Sequence, residues 1–259
     1  MSESLQTKRK DKICNICLKD KALTNENLSW DHVPPKGGID LSTMKARRYD
    51  VDISVDRTII QNGLKFRTLC SDCNSKLGSF YDIAFNSFLI DVKKYLLSKI
   101  VQFPYVESYP TLLIKGLLAH ILATKTQECC SKIDQETRKF IFNSEAILSP
   151  DIHVYYWLFP FNCTIIREEE MYFNPYSGEK LHITMLKTFP IAFAVTYKSV
   201  LSYPHVIELT KLNQNDEEQK SKLIIPKQLY ALDFPESLVR EMPRLVKSEP
   251  SNIFASPKN

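Results

Sequence analysis

The chain has 259 residues, of which 44% are hydrophobic and 25% charged, and a net charge of +4. This is the composition of a globular protein of one or two domains whose core needs no disulfides, and the charge is too mild to indicate a nucleic-acid partner by itself. No run reaches the roughly 18 apolar residues of a membrane helix, and the polar, basic first twelve residues lack the apolar core of a secretory signal. A cytoplasmic, reducing setting with no membrane partner is therefore expected, and there paired C-x-x-C motifs suggest metal more than disulfide.

In chain order, residues 1–11 read as a flexible lead, followed by the tight turn Cys14-Asn15-Ile16-Cys17. Leu28–Val33 alternates as a strand does and is stopped by Pro34-Pro35. Lys36–Arg57 is a polar insert with the basic cluster Lys45, Arg47 and Arg48, and reads as a long loop. Two β-prone runs, 58–61 and 64–68, flank Asn62-Gly63, the strongest short hairpin signal. Ser71 suits an N-cap for a short helix over 72–77, with a stop at Gly78. The local prediction is strand, hairpin, helix.

Phe80–Ile100 has the mixed three- and four-residue apolar spacing of an amphipathic helix. The proline-bearing segment Phe103–Tyr109 reads as a connector, and Thr111–Thr126 and Gln135–Phe142 as two further helices. From His153 the pattern turns β-rich: 153–161, 164–173, 180–186, 191–197 and 205–209 read as strands. Asn213–Lys222 reads as a charged loop, Ile225–Leu232 as a strand and Glu236–Met242 as a helix. The expected organisation is residues 1–102 as one domain, 103–245 as an α+β C-terminal domain and 246–259 as a disordered tail.

The cysteines Cys14, Cys17, Cys70 and Cys73 form two C-x-x-C pairs, and zinc prefers four such ligands in a tetrahedron. The 52 residues between Cys17 and Cys70 exceed what a simple zinc ribbon uses, so something is built inside the loop. That loop contains Asp31-His32, and Asn74 follows the last cysteine. Phosphodiester hydrolysis needs an activated water, a cation on the phosphate and help for the leaving oxygen. A histidine titrating near neutrality can take the water's proton, while a carboxylate and an amide oxygen can hold Mg²⁺. Neighbouring residues of a strand point to opposite faces, so Asp31 and His32 need a twist or bulge to serve one site.

C-x-x-C, then Asp31-His32-Val33-Pro34-Pro35, then Leu69-Cys70-Ser71-Asp72-Cys73-Asn74-Ser75-Lys76-Leu77-Gly78 resembles the HNH (ββα-metal) endonucleases over about the first third of the chain. The resemblance implies a zinc-stabilised ββα-metal unit, and with the helices and β-rich C-terminal domain read from the patterns above the expected fold class is α+β. It implies one-metal hydrolysis, with His32 as general base, Asp31 and Asn74 as ligands of Mg²⁺ or Mn²⁺, a structural Zn²⁺ on the four cysteines, and products bearing 5′-phosphate and 3′-hydroxyl ends. Family members usually carry a middle asparagine that braces the loop bearing the histidine. The nearest candidate is Asn62, which the turn chemistry explains on its own.

Lys36, Lys45, Arg47, Arg48, Lys65, Arg67 and Lys76 are candidate phosphate contacts, each also explicable as a solvated charge. His120 lies in an apolar helix and reads as a core histidine. Cys129, Cys130 and Cys163 read as small buried residues, Glu168–Glu170 as an exposed strand or turn, and Tyr155–Trp157 as sheet core. The expected function is an endonuclease acting on DNA in preference to RNA, of a kind that suits bacterial anti-phage defence. One site per chain makes a homodimer or a companion defence protein the expected partner for cutting a duplex. The alternatives are a non-catalytic zinc module that binds nucleic acid and an RNA-directed nuclease toxin.

Overall fold

The computed structural model describes residues 7–21, 27–38, 43–48, 58–98, 104–127, 131–173, 180–198, 201–213, 216–235 and 252–258, and shows a mixed α+β chain. Its elements are β1 (Leu28–His32), a 3-10 turn (Lys36–Gly38), β2 (Met44–Arg48), β3 (Thr58–Ile60), β4 (Lys65–Cys70), α1 (Ser71–Lys76), a π turn (Leu77–Tyr81) and α2 (Asp82–Leu97). After these come β5 (Tyr105–Ser108), α3 (Pro110–Thr124), α4 (Lys132–Ile141), β6 (Ile152–Leu158), β7 (Thr164–Phe173), β8 (Lys180–Thr188) and β9 (Ile191–Tyr197). The chain closes with β10 (Ile207–Glu208), a 3-10 turn (Leu209–Leu212), β11 (Ser221–Ile224) and β12 (Ile253–Pro257).

Among the described residues the largest sheet has eight strands in the order β10-β6-β9-β8-β7-β12-β2-β3, and β1-β4 and β11-β5 form two separate pairs. Both faces of β6 are covered, and from Val154 to Leu158 every one of its residues is accordingly buried. Val154, Tyr156 and Leu158 join the cluster containing Phe85 and Phe88 of α2, while Tyr155, Trp157 and Phe159 join a second cluster with Phe234. Edge-on contact of Phe88 with Tyr156, with ring centroids 6.0 Å apart, locks α2 to the sheet.

Every residue of α3 except Leu112 is buried, as befits a helix apolar on all sides. Pro110 starts it where no amide hydrogen is needed. Gly116 allows the π turn to approach closely, since a Cβ there would lie 3.3 Å from that of Tyr81. The Tyr81 hydroxyl in turn donates to the Ile141 carbonyl at the end of α4.

Several expectations are corrected. Asn62 and Gly63 do form a left-handed turn, with φ of 60° and 77°, but the strands on either side do not pair with each other. β3 joins β2 in the large sheet, whereas β4 pairs with β1. Part of the insert expected as a loop is strand: Ala46 of β2 is fully buried, and β2 lies between β3 and β12. Gly78 does not end the helix. The chain continues through the π turn into α2, which buries Leu77 and Tyr81. Ser71 is the first residue of α1 rather than its N-cap, a position held by Cys70.

Residues 253–257, expected in a disordered tail, are β12, inserted between β7 and β2 with Ile253 and Ala255 fully buried. The segment 103–109 contains β5, and 221–224 rather than 225–232 supplies the strand that pairs with it. Thr7 to Arg9 pair with β4 at Arg67 instead of hanging free. The boundary expected at residue 103 does not separate two cores, because one apolar cluster contains both Cys14 and Ala255. The helix expected at 236–242, and Cys129 and Cys130, lie outside the described residues.

Candidate metal centre and hydrolytic site

The four cysteines converge. Cys14 and Cys17 sit on a turn closed by the bond from the Leu18 amide to the Cys14 carbonyl, Cys70 ends β4 and Cys73 lies in the first turn of α1. Their sulfurs all lie within 4.8 Å of one another. The Cys17 and Cys70 sulfurs are 3.8 Å apart, and four Zn–S bonds of about 2.3 Å in a tetrahedron require an edge of about 3.8 Å. The Cys70 amide points at the Cys14 sulfur from 3.3 Å. A hydrogen bond from Cys73 and the surrounding amides hold the Cys14 thiol down to about 4. Bonding to Cys14 pushes the Cys73 thiol up, and burial does the same to Cys17. Sulfurs this close take on further negative charge only when a cation is shared among them, so the group can hold a metal such as zinc.

The cluster is anchored through Asn15, inside the first C-x-x-C. Its buried side-chain amide donates to the carbonyls of Leu122 and Lys125 at 2.6 and 2.7 Å, satisfying the C-terminal end of α3. Arg138 of α4 donates to the Asn15 carbonyl at 2.7 Å. Thr68 of β4 donates to the Ala123 carbonyl at 2.6 Å, so one helix end holds both the cysteine turn and the strand.

Beside the cluster, β1 and β4 form an antiparallel pair whose register shifts between Ser29 and Asp31. Asp31, 5% exposed, faces α3, while His32 lies opposite Lys65 and is partly exposed. The Nε2 of His32 is 3.1 Å from the Asn62 carbonyl. A carbonyl only accepts, so Nε2 carries the proton and Nδ1 of the neutral ring is the basic nitrogen. Burial and the nearby Lys65 keep the His32 pKa below its usual value, favouring that neutral ring. This contact is made by the Asn62 main chain, not by its side chain. Asn74 donates from Nδ2 to the Trp30 carbonyl at 3.0 Å, which leaves Oδ1 as its acceptor.

Sequence reasoning missed the partner of Asp31. Its Oδ2 lies 3.3 Å from Nδ1 of His120, whose Nε2 is 2.9 Å from Oδ1 of Asp82 at the start of α2. Burial opposes a charge on His120, but Asp31 and Asp82 outweigh it and raise its pKa to about 10. His120 is the core histidine expected from its apolar neighbours, yet it is a buried cation between two carboxylates. No local signal connects it to Asp31; only the packing of α3 on β1 does.

The expected phosphate contacts divide. Lys36 is exposed beside His32, and Lys76 is exposed on α1 with its ammonium 5.7 Å from the Phe142 ring. Arg67 donates to the Leu28 carbonyl at 2.7 Å. Arg47 and Arg48 belong to β2 in the large sheet, and the Arg47 guanidinium lies 5.1 Å from the Phe254 ring, so its interactions are with the sheet. Cys163 is buried, and burial raises its thiol to about 12. Glu168 is buried against Lys125 at 3.4 Å rather than exposed. No described helix is long and apolar enough to cross a membrane. Comparison with protein-family models, curated proteins and solved structures finds no match to this chain.

Proposed function

We propose that the chain is a metal-dependent endonuclease of the HNH (ββα-metal) type that hydrolyses nucleic-acid phosphodiester bonds, with DNA the preferred substrate. The observation that carries this reading is the contact of His32 Nε2 with the Asn62 carbonyl. It leaves Nδ1 to take a proton from water, at a histidine flanked by Lys65 and Lys36. Asn74 Oδ1 and the carboxylate oxygen of Asp31 not turned to His120 are the donors for one Mg²⁺ or Mn²⁺, which when bound would polarise the phosphate and stabilise the leaving oxygen. The zinc cluster fixes the end of β4 and the start of α1, and so the position of Asn74.

Supercoiled plasmid and single-stranded RNA, each incubated with the purified protein and Mg²⁺, Mn²⁺ or no divalent ion, test the proposal. Nicked or linear plasmid should appear only with the ion, with 5′-phosphate ends. One observation favours a second reading, a non-catalytic zinc module that binds nucleic acid: Asp31 is buried and ion-paired to His120, as a purely structural carboxylate would be. That reading requires nucleic-acid binding without divalent-ion-dependent cleavage.

A further inference from the structure

Trp30 precedes Asp31 on β1 and is 45% exposed, although tryptophan is usually largely buried. His32 follows two residues later, about 6.6–6.8 Å along an extended strand, and is itself partly open to solvent. Lys8, exposed on the segment that pairs with β4, holds its ammonium 5.2 Å from the Trp30 ring centre. Lys65 faces His32 across the strand pair, and Arg67 and Lys36 lie close by. An apolar ring among these cations matches a nucleotide, whose base has a π face and whose phosphate is negative. The inner face of the same strand pair has the opposite character, with Asp31, Phe66 and Thr68 buried.

We propose that Trp30 is a stacking platform for an unpaired base, which sets the phosphodiester beside it at His32, so that the substrate strand is bound single-stranded or locally unpaired. The inference deepens the nuclease reading and rests on it for the role of His32. In a duplex the bases are stacked on one another and none is available to the ring without being extruded. A single strand offers every base, and sequence-tolerant stacking on an aromatic ring is the usual way such strands are held over a basic surface.

The chain has two tryptophans, and Trp157 is 1% exposed in the core, so changes in tryptophan emission on binding report Trp30. The test uses full-length, zinc-loaded His32→Ala, without divalent ion, titrated with a twelve-residue oligothymidylate and with a blunt duplex of equal length. The single strand should quench the emission and bind more tightly than the duplex. In the same background, with binding followed by the anisotropy of a fluorescein-labelled oligothymidylate, Trp30→Ala should weaken single-strand binding by about 5- to 150-fold, with Trp30→Phe retaining most of it and both keeping zinc and the thermal transition. Binding without quenching, equal affinity for the duplex, an unaffected Trp30→Ala, or no binding of the oligonucleotide would each overturn the platform. Wild-type cleavage with Mg²⁺ is scored separately. Quenching without cleavage removes the nuclease reading and keeps the platform, whereas cleavage without quenching does the reverse.

Discussion

Asp31 and His120 meet inside the protein, Oδ2 to Nδ1 at 3.3 Å, with His120 fully buried and its other nitrogen on Asp82. The contact joins β1, α3 and α2, and it fixes which way the Asp31 carboxylate faces. A carboxylate next to a proposed base is thereby held from behind by a residue that touches neither water nor phosphate.

Removing His120 strands two carboxylates, one of them in the core. Breaking one partner out of a buried ion pair costs roughly 3–5 kcal/mol, so His120→Ala should lose about that much stability in a urea titration, with zinc still bound. Asp31→Asn combined with His120→Leu should cost less than the two single changes added together, because the double variant leaves no unpaired charge in the core and strands only the partly exposed Asp82.

The same group sets a pH dependence. His120 has a folded pKa of about 10 against an ordinary 6.5, so the folded state holds a proton that the unfolded chain releases. The stabilisation is complete below pH 6.5 and is lost as pH rises through about 10. Urea midpoints of wild type and His120→Asn, measured without divalent ion at pH 6, 8 and 10, should be furthest apart at pH 6 and converge towards pH 10.

The cysteine cluster should hold one zinc per chain. Metal analysis of Cys73→Ser should show the zinc lost, and its thermal transition should broaden or vanish, since structural zinc binding is folding energy. Asn15→Ala should behave differently. It removes the donor to two buried carbonyls, Leu122 and Lys125, at a cost of about 1–3 kcal/mol for each group left unsatisfied, while zinc stays at one per chain.

Truncation after residue 250 should be far from neutral. β12 sits between β7 and β2 and pairs with both, so its loss bares two strand edges and uncovers buried apolar residues. The shortened protein should be insoluble or aggregate on a sizing column. Survival of a folded, monodisperse protein would show that the strand is dispensable.

What the sequence shows well is local chemistry. The two C-x-x-C pairs, Asp31-His32 and Asn74 are legible because ligand spacing and residue type carry their meaning within a few positions. Long-range pairing is not legible in this way. Asn62-Gly63 makes its turn as its left-handed φ values require, yet Phe66 and Leu69 bring β4 to β1 rather than to β3, because that pairing buries them. The same gap hid β12, whose buried Ile253 and Ala255 lie in a stretch of polar residues and proline, so composition reads as a tail. His120 was hidden because a histidine among leucines looks the same whether its partners are carbonyls or the carboxylate beside a proposed active base. Gly78 misled because a glycine can stop a helix, but here the burial of Leu77 and Tyr81 outweighs its modest helix penalty.

The most direct test of the central claim is the cleavage rate of His32→Ala, measured with Mg²⁺ on the substrate the wild type cuts. His32 touches the Asn62 carbonyl and, among the described contacts, neither the cysteine cluster nor any side-chain partner. General-base catalysis contributes roughly 10²–10⁴-fold, so the rate should fall by at least about 10²-fold while zinc content and the thermal transition stay as in the wild type. A His32→Ala protein that cuts at the wild-type rate, or one that unfolds and sheds its zinc, would contradict the assignment of His32 as the base.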